Sequence, residues 1–88
     1  MLTATTPLQE RVLATLAANV ADLMPGIDPG RITLDGRLAD YGCNSIDRTD
    51  IVWKTLEDLE LDLPIRELAG VEDIRGFVAV LCRFLEAR

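Results

Sequence analysis

The chain has 88 residues, 49% of them hydrophobic, with fifteen acidic against nine basic side chains and a formal charge of -6. That length supports one modest core but no deep active site between lobes, and the small share of Gly and Pro argues against disorder. The negative charge repels phosphate backbones and anionic lipid, so neither nucleic acid nor a membrane surface is an expected partner.

The charge is unevenly placed. Asp35 to Asp62 contains eight acids and three bases, so most of the net charge lies in that stretch. Cys43 and Cys82 lack CxxC spacing and there is no histidine, which argues against a zinc site. The N-terminus shows no basic region followed by an apolar core and cleavage site, so two reduced thiols in a cytoplasmic protein are expected. No apolar run approaches the roughly 20 residues that span a bilayer.

The first predicted helix runs over about 7–23. Thr6 and Gln9 have capping-box spacing around Pro7, and Leu8, Val12, Leu16, Val20 and Leu23 form an apolar stripe that Pro25 and Gly26 stop. Residues 24–43 have no sustained period, yet Ile27, Ile32, Leu34, Leu38 and Tyr41 are spread through them. These features describe a long loop pinned to the core by its own side chains.

Asn44 is a good N-cap, Asp47 puts negative charge in the following turn, and a second helix is predicted over about 45–59. Ile51, Val52, Leu56 and Leu59 share one arc of it, with Thr55 inside, while Asp47, Asp50, Lys54 and Glu57 take the opposite side. Ile46 and Trp53 fall beside the acids. Pro64 to Ala69, closed by Gly70, predicts a short third helix of about one and a half turns. Ile74, Phe77, Val78, Leu81 and Leu85 form the stripe of a last helix over about 73–86, after the acidic pair Glu72 and Asp73. Nothing alternates as a strand would, so the expected class is all-α: three principal helices and one short helix in a single domain over 1–88.

The informative segment is Asp40-Tyr41-Gly42-Cys43-Asn44-Ser45-Ile46-Asp47. It delivers the Ser45 hydroxyl to the first turn of a helix, where unpaired N–H groups and the helix dipole stabilise an anion. Gly42 permits a tight turn and leaves room for a modifying enzyme. With no histidine and no evident base beside it, Ser45 reads as an acceptor rather than a catalytic nucleophile. Taken alone it reads better as an ordinary helix-start serine, and the acidic stretch as an ordinary solvated face. Cys43 and Cys82 read as small packing residues with unactivated thiols. Trp53 is either a core aromatic or a partly exposed recognition residue.

The order of elements and the Gly-x-x-Ser-Ile-Asp signature resemble an acyl carrier protein, with a four-helix bundle and long first loop, over nearly the whole chain. The resemblance implies a non-catalytic carrier whose phosphopantetheine arm is attached covalently to Ser45 by a phosphopantetheinyl transferase and bears acyl thioesters. Two positions depart from the usual pattern: Asn44 stands where most carriers have Asp, and Tyr41 where they have Leu. The fuller string Gly42-Cys43-Asn44-Ser45-Ile46-Asp47-Arg48 resembles the free-standing donor carriers of polyketide β-branching cassettes. Those deliver acetyl units to an enzyme similar to hydroxymethylglutaryl-CoA synthase.

Enzymes that load or accept acyl groups are expected to read the exposed side of the second helix. Asp47, Asp50 and Glu57 would meet basic residues, Ile46 and Trp53 would supply apolar contact, and Arg48 completes the set. A monomer is expected, and the start at Met1 favours a discrete protein. The rival readings are an enzyme, an unmodified helical adaptor, and, among carriers, a peptidyl or a general fatty-acid or polyketide carrier.

Overall fold

In the computed structural model, residues 6–87 are described; Met1, the basis for expecting a discrete protein, lies outside them. Three α-helices, α1 (Pro7–Leu23), α2 (Ser45–Asp58) and α3 (Ile74–Ala87), are joined by segments containing short 3-10 turns, and no described residue is in a strand. α1 packs against both α2 and α3.

α1 begins at a reciprocal cap: the Gln9 amide N–H donates to Thr6 Oγ1 at 3.1 Å, and the Thr6 N–H donates to Gln9 Oε1 at 2.9 Å. Pro7 sits at the first helical position, where its missing N–H leaves nothing unpaired. The stripe buries Val12, Leu16 and Val20 completely. Leu23, expected to continue it, is 38% exposed at the end of the helix, where it lines an open depression with Asp50, Trp53 and Lys54 of α2.

The long loop is ordered by its own polar groups. Asp28 Oδ1 accepts from the Gly30 N–H and caps the turn Pro29–Arg31, while Asp40 Oδ2 accepts from the Arg37 N–H at the turn Leu38–Tyr41. Ile32 is buried, and Ile27, Leu34, Leu38 and Tyr41 pack partly buried against the core. The Tyr41 hydroxyl donates to the Arg31 carbonyl at 3.2 Å, and its ring covers Gly36 so closely that a Cβ there would lie 2.5 Å from Tyr41 Oη. The loop is tied to α3 by the Ile74 N–H donating to the Gly36 carbonyl at 3.0 Å, and by an exposed Arg75–Asp35 ion pair at 2.7 Å.

α2 ends one residue earlier than expected, with Leu59 as its C-cap. The Leu61 N–H returns to the Leu56 carbonyl and the Glu60 N–H to the Glu57 carbonyl, a Schellman closure with Glu60 in the left-handed region at φ 52°. The short third helix is not α-helical: Ile65–Leu68 forms a 3-10 turn, since the residues between Pro64 and Gly70 are too few to propagate a helix once nucleated. α3 starts one residue later than expected and runs one further; Asp73 Oδ1 caps it by accepting from the Gly76 N–H at 2.8 Å. Its stripe buries Ile74, Phe77, Val78, Leu81, Cys82 and Leu85. Each such large apolar side chain contributes about 1.5–3 kcal/mol when fully buried. No helix among the described residues is long and apolar enough to cross a membrane.

The α1–α2 contact contains a buried polar cluster. Asn19 Nδ2 donates to Thr55 Oγ1 and to Asp58 Oδ2, both at 3.1 Å, and Thr55 Oγ1 donates to the Ile51 carbonyl at 2.7 Å. A polar group inside a core is costly unless bonded, so these partners let Asn19 stand in the stripe.

Candidate functional site

The site is assembled where the long loop meets α2. Gly42, at φ 89°, adopts a left-handed conformation that a Cβ would strain, and its N–H closes the preceding turn onto the Ala39 carbonyl at 3.1 Å. The chain then turns Cys43 into the core and Asn44 outward. Asn44 Oδ1 accepts from the Asp47 N–H at 2.8 Å, and Asp47 Oδ2 accepts from the Asn44 N–H at 3.0 Å. This capping box fixes the first turn of α2 and makes Ser45 its first residue, exposed to solvent. Asp47 is thus more than a favourable charge near the helix start: its carboxylate takes one of the free backbone donors.

Ser45 Oγ makes no hydrogen bond to a carboxylate among the described residues; its side-chain neighbour is Arg48, whose guanidinium Nη2 donates to it at 3.4 Å. The Thr49 hydroxyl donates to the Ser45 carbonyl at 3.0 Å and helps hold this turn. Cys43, two residues before Ser45, is 4% exposed. Burial chiefly raises its thiol pKa, the Asp47 charge adds to that, and the Arg48 charge partly offsets it. Burial and the Glu86 charge raise that of Cys82 as well. Both thiols are therefore protonated and sluggish as nucleophiles at neutral pH, in keeping with packing roles.

Next to Ser45 lies an open groove of about 310 Å³ walled by Arg48, Thr49, Val52, Trp53, Ile65 and Leu68. A smaller cavity of about 170 Å³ lies beyond it, among Leu16, Leu38, Val71, Asp73, Ile74 and Phe77, and shares Arg48, Val52 and Leu68 with the groove. Of the six residues expected at the surface of α2, the structure places Arg48 and Trp53 in the groove wall with Ser45. Asp50 and Glu57 lie in neighbouring depressions that also contain Trp53. Ile46 is 72% exposed and Trp53 57% exposed, which removes Trp53 from the core. Asp47 is half-buried and occupied with the cap.

Ile65 and Leu68 contribute apolar surface to the groove that sequence reasoning did not assign. The available signal was Ile65, a large apolar residue immediately after Pro64 in a segment too short to carry an amphipathic stripe. Val52 was assigned to the core and is instead half-buried between groove and cavity.

The family described as phosphopantetheine attachment site matches residues 11–81. The polyketide biosynthesis acyl-carrier-protein AcpK of Bacillus subtilis (strain 168) is 34% identical over 73 residues, covering 83% of this chain and 89% of that protein. No solved structure matches the chain.

Proposed function

The chain belongs to the acyl carrier proteins, non-catalytic proteins with a covalently bound phosphopantetheine group, and we propose that Ser45 holds that group. The observation that carries this reading is the exposed Ser45 hydroxyl on the first residue of α2, inside the matched span and at the mouth of a largely apolar groove. The surroundings suit a phosphodiester. Backbone N–H groups of the first turn and the Arg48 guanidinium supply positive potential, and no carboxylate is bonded to Oγ.

In the loading step, Ser45 Oγ forms a new bond to a phosphorus of coenzyme A. The pyrophosphate bond breaks, the adenosine bisphosphate half leaves with the electron pair, and the serine proton passes to a base of the phosphopantetheinyl transferase. This chain supplies no base: it has no histidine, and Ser45 Oγ has no acceptor partner on the described residues. The bound group supplies a thiol that carries acyl units as thioesters; the chain positions it and presents α2 to partner enzymes.

Polyketide biosynthesis is the pathway class we assign, because AcpK, similar along most of both chains, is named for it. Within that class, the string Gly42 to Arg48 supports a donor of acetyl units in β-branching, acting on an enzyme resembling hydroxymethylglutaryl-CoA synthase. The 88 residues act as one carrier domain in the cytoplasm, where coenzyme A is found. Partner enzymes read Ile46, Arg48, Asp50, Trp53 and Glu57 on the exposed side of α2, with Asp47 holding its first turn.

Intact-protein mass before and after incubation with coenzyme A and a broad transferase tests the attachment. The wild type should gain the mass of one arm, and Ser45→Ala should gain none while keeping its helical spectrum; modification of the variant would move the site elsewhere. Acetyl-loaded and aminoacyl-loaded protein, offered to the synthase-like enzyme, then separate the donor role from a peptidyl carrier. Turnover of acetyl alone supports the donor, and turnover of neither removes that subtype.

A further inference from the structure

We propose that Arg48 positions the arm: its guanidinium moves from the Ser45 hydroxyl onto the phosphodiester formed there and directs the arm along the Val52–Leu68 groove. The proposal rests on Ser45 being the attachment residue.

Three observations carry it. First, Arg48 sits three residues after Ser45 on the same helix, so the two side chains share a face, and Nη2 is already 3.4 Å from Oγ. That contact is long for a hydrogen bond, whereas a phosphate on the same oxygen would place acceptor oxygens nearer the guanidinium.

Second, Arg48 forms no ion pair among the described residues, although it lies in the most acidic stretch of the chain and shares the wall of the inner cavity with Asp73, whose Oδ1 accepts from the Gly76 N–H. The residues three and four positions away are Ser45, Asn44, Ile51 and Val52, none of them acidic. The neighbouring Asp47 carboxylate is bonded to the Asn44 N–H. Among the described residues the ion pairs are Lys54–Asp22 and Arg75–Asp35, and Arg48 belongs to neither. A guanidinium surrounded by carboxylates in sequence yet paired with none is available for an incoming anion.

Third, Arg48 is part of the wall of both the open groove and the inner cavity. A phosphate held by Arg48 therefore starts the arm at the groove mouth rather than away from the protein. Arginine suits this role because its planar fork can bind two phosphate oxygens at once, which a lysine ammonium cannot match.

The test uses wild type, Arg48→Gln and Arg48→Lys, each loaded until intact mass shows complete modification, with Ser45→Ala as the control for the attachment site. In the wild type, loading should shift the Arg48 Nε–Hε resonance and slow rotation of its guanidinium, and added salt should reverse both changes. The phosphorus resonance of the loaded Arg48→Gln protein should move towards that of free phosphopantetheine and lose its salt dependence. Arg48→Lys should keep part of the wild-type shift. Unchanged Arg48 signals on loading, or a phosphorus resonance identical in wild type and Arg48→Gln, would overturn the proposal while leaving Ser45 as the attachment residue. Loading of Ser45→Ala would instead overturn the attachment reading itself.

Discussion

The two faces of α2 treat similar side chains in opposite ways. On one, Ile51 and Leu56 are buried against the rest of the core; on the other, Ile46 and Trp53 are 72% and 57% exposed. Ile46 and Trp53 are seven residues apart, two turns, and so stand almost in line with Asp50 and Glu57 between and beyond them. The buried face meanwhile encloses polar Thr55 and Asn19. Angular position on the helix, and not hydrophobicity alone, decides which residues the fold covers. An exposed tryptophan among acids is costly to leave in water, and a protein that docks repeatedly recovers that surface at each encounter.

The contrast can be broken most severely from the inside. Ile51→Ala should cost about 2–5 kcal/mol, because Ile51 is almost completely buried and its neighbours relax only in part into the cavity left behind. Urea denaturation measures it, and a loss below 1 kcal/mol (roughly) would mean that α2 is held elsewhere. Asn19→Ala should cost about 1–3 kcal/mol by leaving Thr55 and Asp58 without their donor. The same unfolding curves would show it, and an unchanged midpoint would make the polar cluster incidental.

Glu60→Gly should act in the other direction, raising stability by about 0.5–1 kcal/mol, because glycine adopts the left-handed closure of α2 without the Cβ penalty. A fall in melting temperature would show that the Glu60 side chain contributes more than its backbone strain costs. The smallest effect on stability belongs to Trp53→Ala, below about 1 kcal/mol for a side chain mostly in solvent. Its consequence should appear in partner dissociation, which should speed up, whereas Asp50→Lys and Glu57→Lys should slow association and weaken its salt dependence. Stopped-flow binding separates the two classes, and unchanged kinetics in all three variants would take the interface off α2.

Much of this arrangement is local chemistry and therefore readable from local sequence. Thr6-Pro7 and Asn44 start α1 and α2 because capping depends on residues three positions apart, and the proline and glycine after Met24 end the first stripe. What escaped is what distance decides. Asn19 looks like a tolerated polar residue in an apolar stripe until Thr55, 36 residues away, is seen to accept its hydrogen bond. The exposure of Leu23 and Trp53 depends on how far neighbouring elements reach, which periodicity does not contain. The turn Ile65–Leu68 was legible as a short punctuated segment but not as 3-10, since a stretch that short carries no period to read. Ser45 stands out through its motif, while the groove beside it, which Ile65 and Leu68 complete from beyond Pro64, has no such local signal.

The close cover of Gly36 by Tyr41 constrains how this sequence can change over generations. A methyl group at position 36 would lie 2.5 Å from the Tyr41 hydroxyl, which the Arg31 carbonyl also holds. Gly36→Ala therefore requires the Tyr41 hydroxyl to move and to give up its bond to the Arg31 carbonyl, a shift open to the tip of a half-buried side chain. Change at position 36 is thus coupled to the ring at position 41, and an alanine at the first is expected to be tolerated best where the second is smaller than tyrosine.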